Sequence, residues 1–144
     1  MIKQKGMETA DVIVTTVNVI LDTNFFVDMF RFKISFDDIE DVVGQKCKFW
    51  MVGQSVKELK RIRKKEAKIA LVIMENIVSG RTKDRRFGVI KTNKRFASAD
   101  DAIISLIKQR SFIVATNDAK LRKKIKALGT RVIYLRARKH LEIH

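Results

Sequence analysis

Hydrophobic residues along this chain follow two alternating periods. Val17, Val19, Ile20 and Leu21 make a short, largely β-branched apolar run that stops at Asp22. A run of this kind reads as a strand buried on both faces, as in a parallel sheet. Cys47–Val52, Phe112–Thr116 and Arg131–Leu135 repeat it, and Phe87–Lys91 gives a shorter version. Between these runs the apolar positions return at helical spacing. Phe25–Phe30 offers one or two turns with a large apolar face, and Val56, Leu59 and Ile62 share one face. Ala67, Ala70, Leu71, Met74, Ile77 and Val78 extend a longer helix towards Ser79-Gly80. Ala97–Ile107 and the amphipathic Asp118–Leu128 complete the set.

Polar residues punctuate these segments. Ser35 suits an N-cap with Asp38 in the capping-box position, and Gly44 stops that short helix. Gly53 ends the second strand, Ser55 and Ser98 suit further N-caps, and Gly129 closes the last helix. The alternation of strand and helix predicts an α/β fold, with a mostly parallel sheet of about five strands covered by helices on both faces. At 144 residues, one domain with a proper core is expected. It spans residues 17–136, with residues 1–16 a loose tail or edge element and residues 137–144 a basic tail.

Four carboxylates then stand out by position. Asp22 and Asp118 follow strands; Glu58 and Asp100 are expected in the first turns of helices. Each alone is explained by capping or by the helix dipole. Right-handed crossovers would, however, bring all four to the edge beyond the strands' carboxyl ends, where open α/β sheets place their functional crevice. Like charges gathered there repel unless something neutralises them. Mg²⁺ or Mn²⁺, which take oxygen ligands, would do so, and would equip the site to activate water for phosphodiester displacement. Calcium storage fits poorly because no single loop supplies the ligands. Zinc fits poorly because the chain has one Cys and two His.

Charge adds a partner. Thirty-one Lys and Arg against sixteen Asp and Glu leave +15, which favours a polyanion, most simply nucleic acid, over lysine carried only as heat-adapted surface charge. Phosphate contacts are expected from Arg61, Arg63, Lys64 and Lys65, from Arg85 and Arg86 in the Arg81–Arg86 loop, and from Lys120, Lys123 and Lys124. Cys47, the sole cysteine, excludes a disulfide within the chain and suits a reducing, cytoplasmic setting. No apolar run is long enough to cross a bilayer, and residues 1–17 carry no signal-peptide pattern.

The sequence resembles the PIN-domain ribonucleases over residues 17 to 136. The likeness rests on Val-Ile-Leu-Asp-Thr-Asn ending at Asn24, Ser-Val-Lys-Glu-Leu ending at Leu59, Ala-Asp-Asp-Ala-Ile-Ile from Ala99 and Ala-Thr-Asn-Asp from Ala115. Ile113–Asp118, the basic helix after it and Val132–Leu135 look like the archaeal and eukaryotic branch linked to ribosomal RNA processing. The resemblance implies a PIN-like three-layer sandwich and a Mg²⁺- or Mn²⁺-dependent endoribonuclease acting on RNA, and it allows a homodimer. It implies Asp22, Asp100 and Asp118 as metal ligands, Glu58 as ligand or orienter of the attacking water, and Asn24 and Thr116 as supports. Asp101 is the neighbour whose role competes with that of Asp100; the Asp-x-x-Ile match to Asp100 and Ile103 favours Asp100. Rival readings are the toxin of a toxin–antitoxin pair, which shares fold and chemistry, and an RNA-binding scaffold of ribosome assembly that cleaves little or nothing. A phosphoacceptor receiver domain ranks last, since it wants paired acids after the first strand and Val17–Asp22 offers one.

Overall fold

The computed structural model describes residues 16–82 and 84–144, so the expected N-terminal tail lies, apart from Thr16, outside the described residues. Twelve elements follow in order: β1 (Val17–Leu21), α1 (Thr23–Arg31), α2 (Phe36–Val43), β2 (Cys47–Val52), α3 (Gly53–Arg61), α4 (Lys65–Val78), β3 (Phe87–Ile90), α5 (Ala99–Gln109), β4 (Ile113–Ala115), α6 (Ala119–Ala127), β5 (Val132–Arg136) and β6 (His140–Ile143). The strands form one six-stranded sheet in the order β3-β2-β1-β4-β5-β6. All neighbours pair in parallel except β5 and β6.

The period-2 pattern of the strands separates two cores. Val19 and Leu21 of β1, Phe49 and Met51 of β2, Ile113 and Ala115 of β4 and Ile133 of β5 face one layer of helices. That layer contributes Phe25 and Phe26 from α1, Ile39 from α2, Leu59 from α3 and Ala67, Ala70 and Met74 from α4. Ile20, Val52, Val114 and Val132 face the other layer, packed against Ala102, Ile103 and Ile107 of α5 and Leu121 and Ile125 of α6. Helices on both faces of a mostly parallel sheet give the three-layer sandwich that the sequence predicts.

Local signals set most boundaries. Ser35 accepts from the Asp38 amide while Asp38 accepts from the Ser35 amide, a complete capping box, and Gly44 ends α2 at φ 79°. Ser98 caps α5 and Asp118 caps α6. Two expectations give way. Helix α3 starts at Gly53 behind Val52, so Ser55 is inside it, buried, its hydroxyl without a partner among the described residues. Glu58 consequently stands in the second turn, not the first. The C-terminal segment is not a solvated tail: β6 adds an antiparallel edge strand, and Leu141 and Ile143 pack on the first core.

The turn into β6 explains why the pattern conceals it. Lys139 N–H donates to Arg136 O across Ala137 and Arg138, both left-handed at φ 51° and 59°. Primed hairpin turns demand that conformation and are ordinarily written Asn-Gly or Asp-Gly. Replacing Ala137-Arg138 by Asn-Gly should therefore raise unfolding free energy in urea by about 1–2 kcal/mol, the scale of relieving left-handed strain. Unchanged stability would show that the turn stores no such strain.

Candidate active site

The strand β1 delivers Asp22 to the carboxyl edge of the sheet, where its backbone N–H still donates to Ala115 O of β4 at 2.9 Å. The residue then caps α1: its Oδ1 accepts from Thr23 N–H at 2.9 Å. Its Oδ2 accepts from the Thr116 hydroxyl at 2.9 Å. With only 6% of its surface exposed, Asp22 is a buried carboxylate that forms no ion pair among the described residues. Burial is the main reason that its pKa rises from 3.8 to about 6. The Thr116 hydrogen bond opposes the rise, the charge of Asp100 adds to it, the Thr23 amide opposes it, and Glu58 adds a little more.

Thr116, fully buried at the end of β4, serves two acids at once. Besides donating to Asp22, its oxygen accepts the Asp118 backbone N–H at 3.1 Å. Asp118 in turn accepts from the Lys120 and Leu121 amides through Oδ1, as the cap of α6. Across the edge, Glu58 binds the starts of two other helices. Its Oε1 accepts from the Thr23 hydroxyl at 2.9 Å, and its Oε2 accepts from the Ala99 amide at 3.2 Å. Asp100, in the first turn of α5, is held above the ordinary carboxylate range by desolvation, then by Asp118 and Glu58, with Lys124 pulling the other way. The structure thus brings Asp22, Glu58, Asp100 and Asp118 to one edge, where Asp100 and Glu58 act on Asp22, and Asp118 and Glu58 act on Asp100. Asp101 is exposed; its amide donates to Ser98 Oγ, and its charge enters only as a minor repulsion on Asp100.

Other sequence candidates land in different places. Asn24 is exposed on α1 and its side chain makes no hydrogen bond among the described residues. Arg61 ends α3 and shares a pocket with Glu58, while Arg63, Lys64 and Lys65 continue exposed beyond it. Lys120, Lys123 and Lys124 lie on α6, whose first turn is capped by Asp118. Arg85 and Arg86 are not brought to this edge. Arg86 is level with Lys48 and Asn18 in the parallel register, four positions before Asp22, or about 13 Å along the strand at ~3.3 Å per residue. Its guanidinium binds Asp37 at 2.7 Å, Glu40 at 3.0 Å and Asp84 at 3.0 Å, and packs over Phe36, which makes it a structural fastener rather than an open phosphate contact.

Two contributors escape sequence reasoning. Thr23 joins Asp22 to Glu58 through its amide and hydroxyl. Asn117 donates to Asp28 Oδ2 at 2.9 Å and accepts the Leu135 amide at 2.8 Å, tying α1, β4 and β5 together beneath the site. Both stand beside a predicted acid, in Asp-Thr-Asn and Thr-Asn-Asp, but only the crossovers reveal their partners.

Four carboxylates provide hard oxygen donors of the kind that Mg²⁺ and Mn²⁺ favour. Among the described residues no three acidic, His or Cys side chains converge closely enough to enclose an ion. The arrangement suits a hydrated divalent ion that takes one or two carboxylates directly and keeps most of its waters, which is Mg²⁺ behaviour rather than that of a calcium or zinc cage.

A mostly parallel, three-layer α/β domain with mutually repelling carboxylates at its strand ends is the class of molecule that fold and site define. Residues 19–138 match the model of the PIN like domain, and the chain belongs to that family. It is 30% identical to Ribonuclease VapC4 of Methanocaldococcus jannaschii over 128 residues, which cover 87% of this chain and 95% of that protein. Its fold is similar to the structure of the PIN domain endonuclease Utp24, with a TM-score of 0.73, 26% identity and coverage of 88% and 90% of the two chains.

The raised pKa of Asp22 has a thermodynamic consequence. The folded state binds this proton more tightly than the unfolded chain, so stability from this group grows as pH falls through about 6 and is complete below 3.8. At neutral pH without divalent ions, Asp22→Asn should raise the melting temperature, by up to about 3 kcal/mol in free energy at ~1.4 kcal/mol per pKa unit. The advantage should shrink as pH is lowered across that window. Thermal denaturation of both proteins across the range checks it, and a pH-independent difference would refute it.

Proposed function

We propose that the protein is a metal-dependent endoribonuclease. The observation that carries the reading is the gathering of Asp22, Glu58, Asp100 and Asp118 at one sheet edge, none in an ion pair among the described residues. Selection for stability alone would pair or remove such charges; a cation and a phosphodiester use them. Likeness to Ribonuclease VapC4 supports RNA as the substrate, and likeness to the endonuclease Utp24 supports cleavage within the strand.

In this reading Asp22, Asp100 and Asp118 would hold a hydrated Mg²⁺ or Mn²⁺, one or two of them directly and the rest through its waters. The ion, when bound, supplies Lewis acidity to the phosphodiester. Thr116 and the Thr23 amide fix both oxygens of Asp22 before substrate arrives, so no reorganisation is needed at that residue during reaction. Glu58, fastened by the Thr23 hydroxyl and the Ala99 amide, keeps lone pairs to orient an attacking water. Lys124 and its neighbours on α6 place positive charge beside the acids and draw the RNA backbone towards them.

The RNA proposed is ribosomal, on the likeness of Ile113–Asp118 and the helix after it to the processing branch of the family. A toxin role is the second reading, favoured by the likeness to VapC4. Controlled expression separates them: a toxin arrests growth unless a neighbouring small antitoxin gene is expressed with it, whereas a processing enzyme does neither.

Cleavage of structured and single-stranded RNAs with and without Mn²⁺ tests the chemistry. Asp22→Asn and Asp118→Asn should abolish metal-dependent cleavage while retaining the fold. Asp100→Asn should cost at least ~100-fold in turnover, the scale of losing an electrostatic group at the reacting centre, and Asp101→Asn less than about tenfold. Undiminished cleavage by the Asp22 and Asp118 variants would overturn the assignment. Binding should weaken steeply with salt, and replacing Lys123 and Lys124 by Ala should flatten the log–log slope by roughly one unit per lost contact.

A further inference from the structure

Beside the acids, on the side away from α6, lies a pocket of about 490 Å³ between α3 and the loop joining β3 to α5. That volume falls within the roughly 300–1,000 Å³ of small-molecule sites. Glu58 is part of its wall, so the pocket adjoins the acidic edge. Its charge is opposite to that edge: Lys57, Arg61, Lys91 and Lys94 line it with Glu58 as the sole acid. None of these four cations enters an ion pair among the described residues. Phe96 also lines it, and the Arg95 guanidinium packs over that ring 5.2 Å from its centroid.

The far wall is latched in place. Gln54, near the start of α3, donates to Phe96 O at 2.9 Å and to Asn93 O at 3.3 Å, and accepts the Thr92 hydroxyl at 2.5 Å. One side chain therefore holds the loop open against α3 through three contacts, and the cavity exists before any ligand enters. Hydrophobic packing alone would not call for a fixed space lined with unpaired cations.

We propose that this pocket is a nucleotide subsite that receives one unpaired nucleotide of the RNA strand adjoining the acidic edge. Lys57, Arg61, Lys91 and Lys94 hold its flanking phosphates, and its base takes the place of the Arg95 guanidinium over the Phe96 ring, whose other side packs on the second core. A strand reaching four carboxylates meets repulsion there, and cationic ground on both sides offsets it: α6 on one, this pocket on the other. Aromatic faces accept any base, so the pocket sets the strand's position more than its sequence. The ligand follows from the ribonuclease reading; the site itself stands on the cavity and its charge. Gln54 is a positioning residue that acts through the loop.

The test measures binding apart from cleavage. A labelled, short single-stranded oligoribonucleotide is titrated in EDTA against the wild-type protein, the Lys57→Ala/Lys91→Ala variant and Phe96→Leu, which keeps apolar bulk but loses the stacking face. The double variant should weaken binding about tenfold or more at low salt and flatten the log–log salt slope by ~0.7 per lost phosphate contact, with an unchanged melting temperature. Phe96→Leu should weaken binding about tenfold, the scale of losing one stacked base. Gln54→Ala should also weaken binding and flatten the salt slope by less than the lysine variant, since it removes no charge and only loosens the loop that carries Lys94. In Mn²⁺, the lysine variant should raise KM and leave kcat near wild type. Unchanged affinity and slope in the lysine variant would overturn the subsite, even if Asp118→Asn abolishes cleavage and so upholds the nuclease reading. Weakened binding with no cleavage by the wild-type protein on any RNA would uphold the subsite and refute the nuclease reading instead.

Discussion

The fold and the site meet at a single buried carboxylate. Asp22 ends the central strand, caps α1, and takes the Thr116 hydroxyl from the neighbouring strand. Burying an acid without a counter-charge is unfavourable, and the rise of its pKa to about 6 expresses that penalty. The surroundings tolerate it because Leu21, Phe25 and Phe26 bury fully around the same junction, and because each oxygen has a donor. Apolar burial is worth about 1.5–3 kcal/mol per large side chain, enough for a few such neighbours to outweigh one strained acid. The destabilisation is thus local, and it is concentrated where an incoming cation would relieve it.

Around that junction the hydrogen bonds form a relay rather than a set of independent caps. Thr116 links Asp22 to the start of α6, Thr23 links Asp22 to Glu58, and Glu58 links α3 to the start of α5. Three helices therefore begin at positions dictated by the acids, and the acids are held by helix starts. Asn117 braces the assembly from below through Asp28 and Leu135. A shift of one residue in any of the strands would carry its acid away from the shared edge, because successive side chains alternate between sheet faces.

Net charge divides the surface by task. The excess of +15 is not spread evenly in function. Arg86 is consumed by Asp37, Glu40 and Asp84, where it fastens the entry to β3 onto α2. The cations of α6 and of the α3 pocket, by contrast, stand beside the acids without ion-pair partners among the described residues. Cationic ground around an acidic centre is the electrostatic form expected of a protein that must attract a polyanion to a site that would otherwise repel it.

The architecture was legible in the sequence wherever a local rule and the global fold agree. Continuous apolar runs marked β1, β2, β4 and β5, the Ser35–Asp38 box and Gly44 marked α2, and Ser98 marked α5, because periodicity and capping act over a few neighbouring residues. The positions of three acids were legible for the same reason: Asp22 and Asp118 follow strands and Asp100 opens a helix, whereas Glu58 stands one turn deeper in α3 than its local signals imply. The sequence could not reveal features whose cause lies in a distant partner or in strained backbone. Strand β6 was hidden because Ala137 and Arg138 adopt left-handed angles with none of the usual turn residues. The start of α3 was misplaced because Val52 caps it without a side-chain bond, leaving Ser55 as a false signal. Arg86 read as a free cation because two of its partners, Asp37 and Glu40, precede it by forty-nine and forty-six positions, and the nearby Asp84 alone did not mark it as paired. Composition and pattern by themselves determined an α/β sheet with carboxylates at its strand ends. Only tertiary structure decided which hydroxyls hold those carboxylates, which cations remain unpaired and where the pocket beside Glu58 opens, since each depends on groups that come together only when the crossovers close.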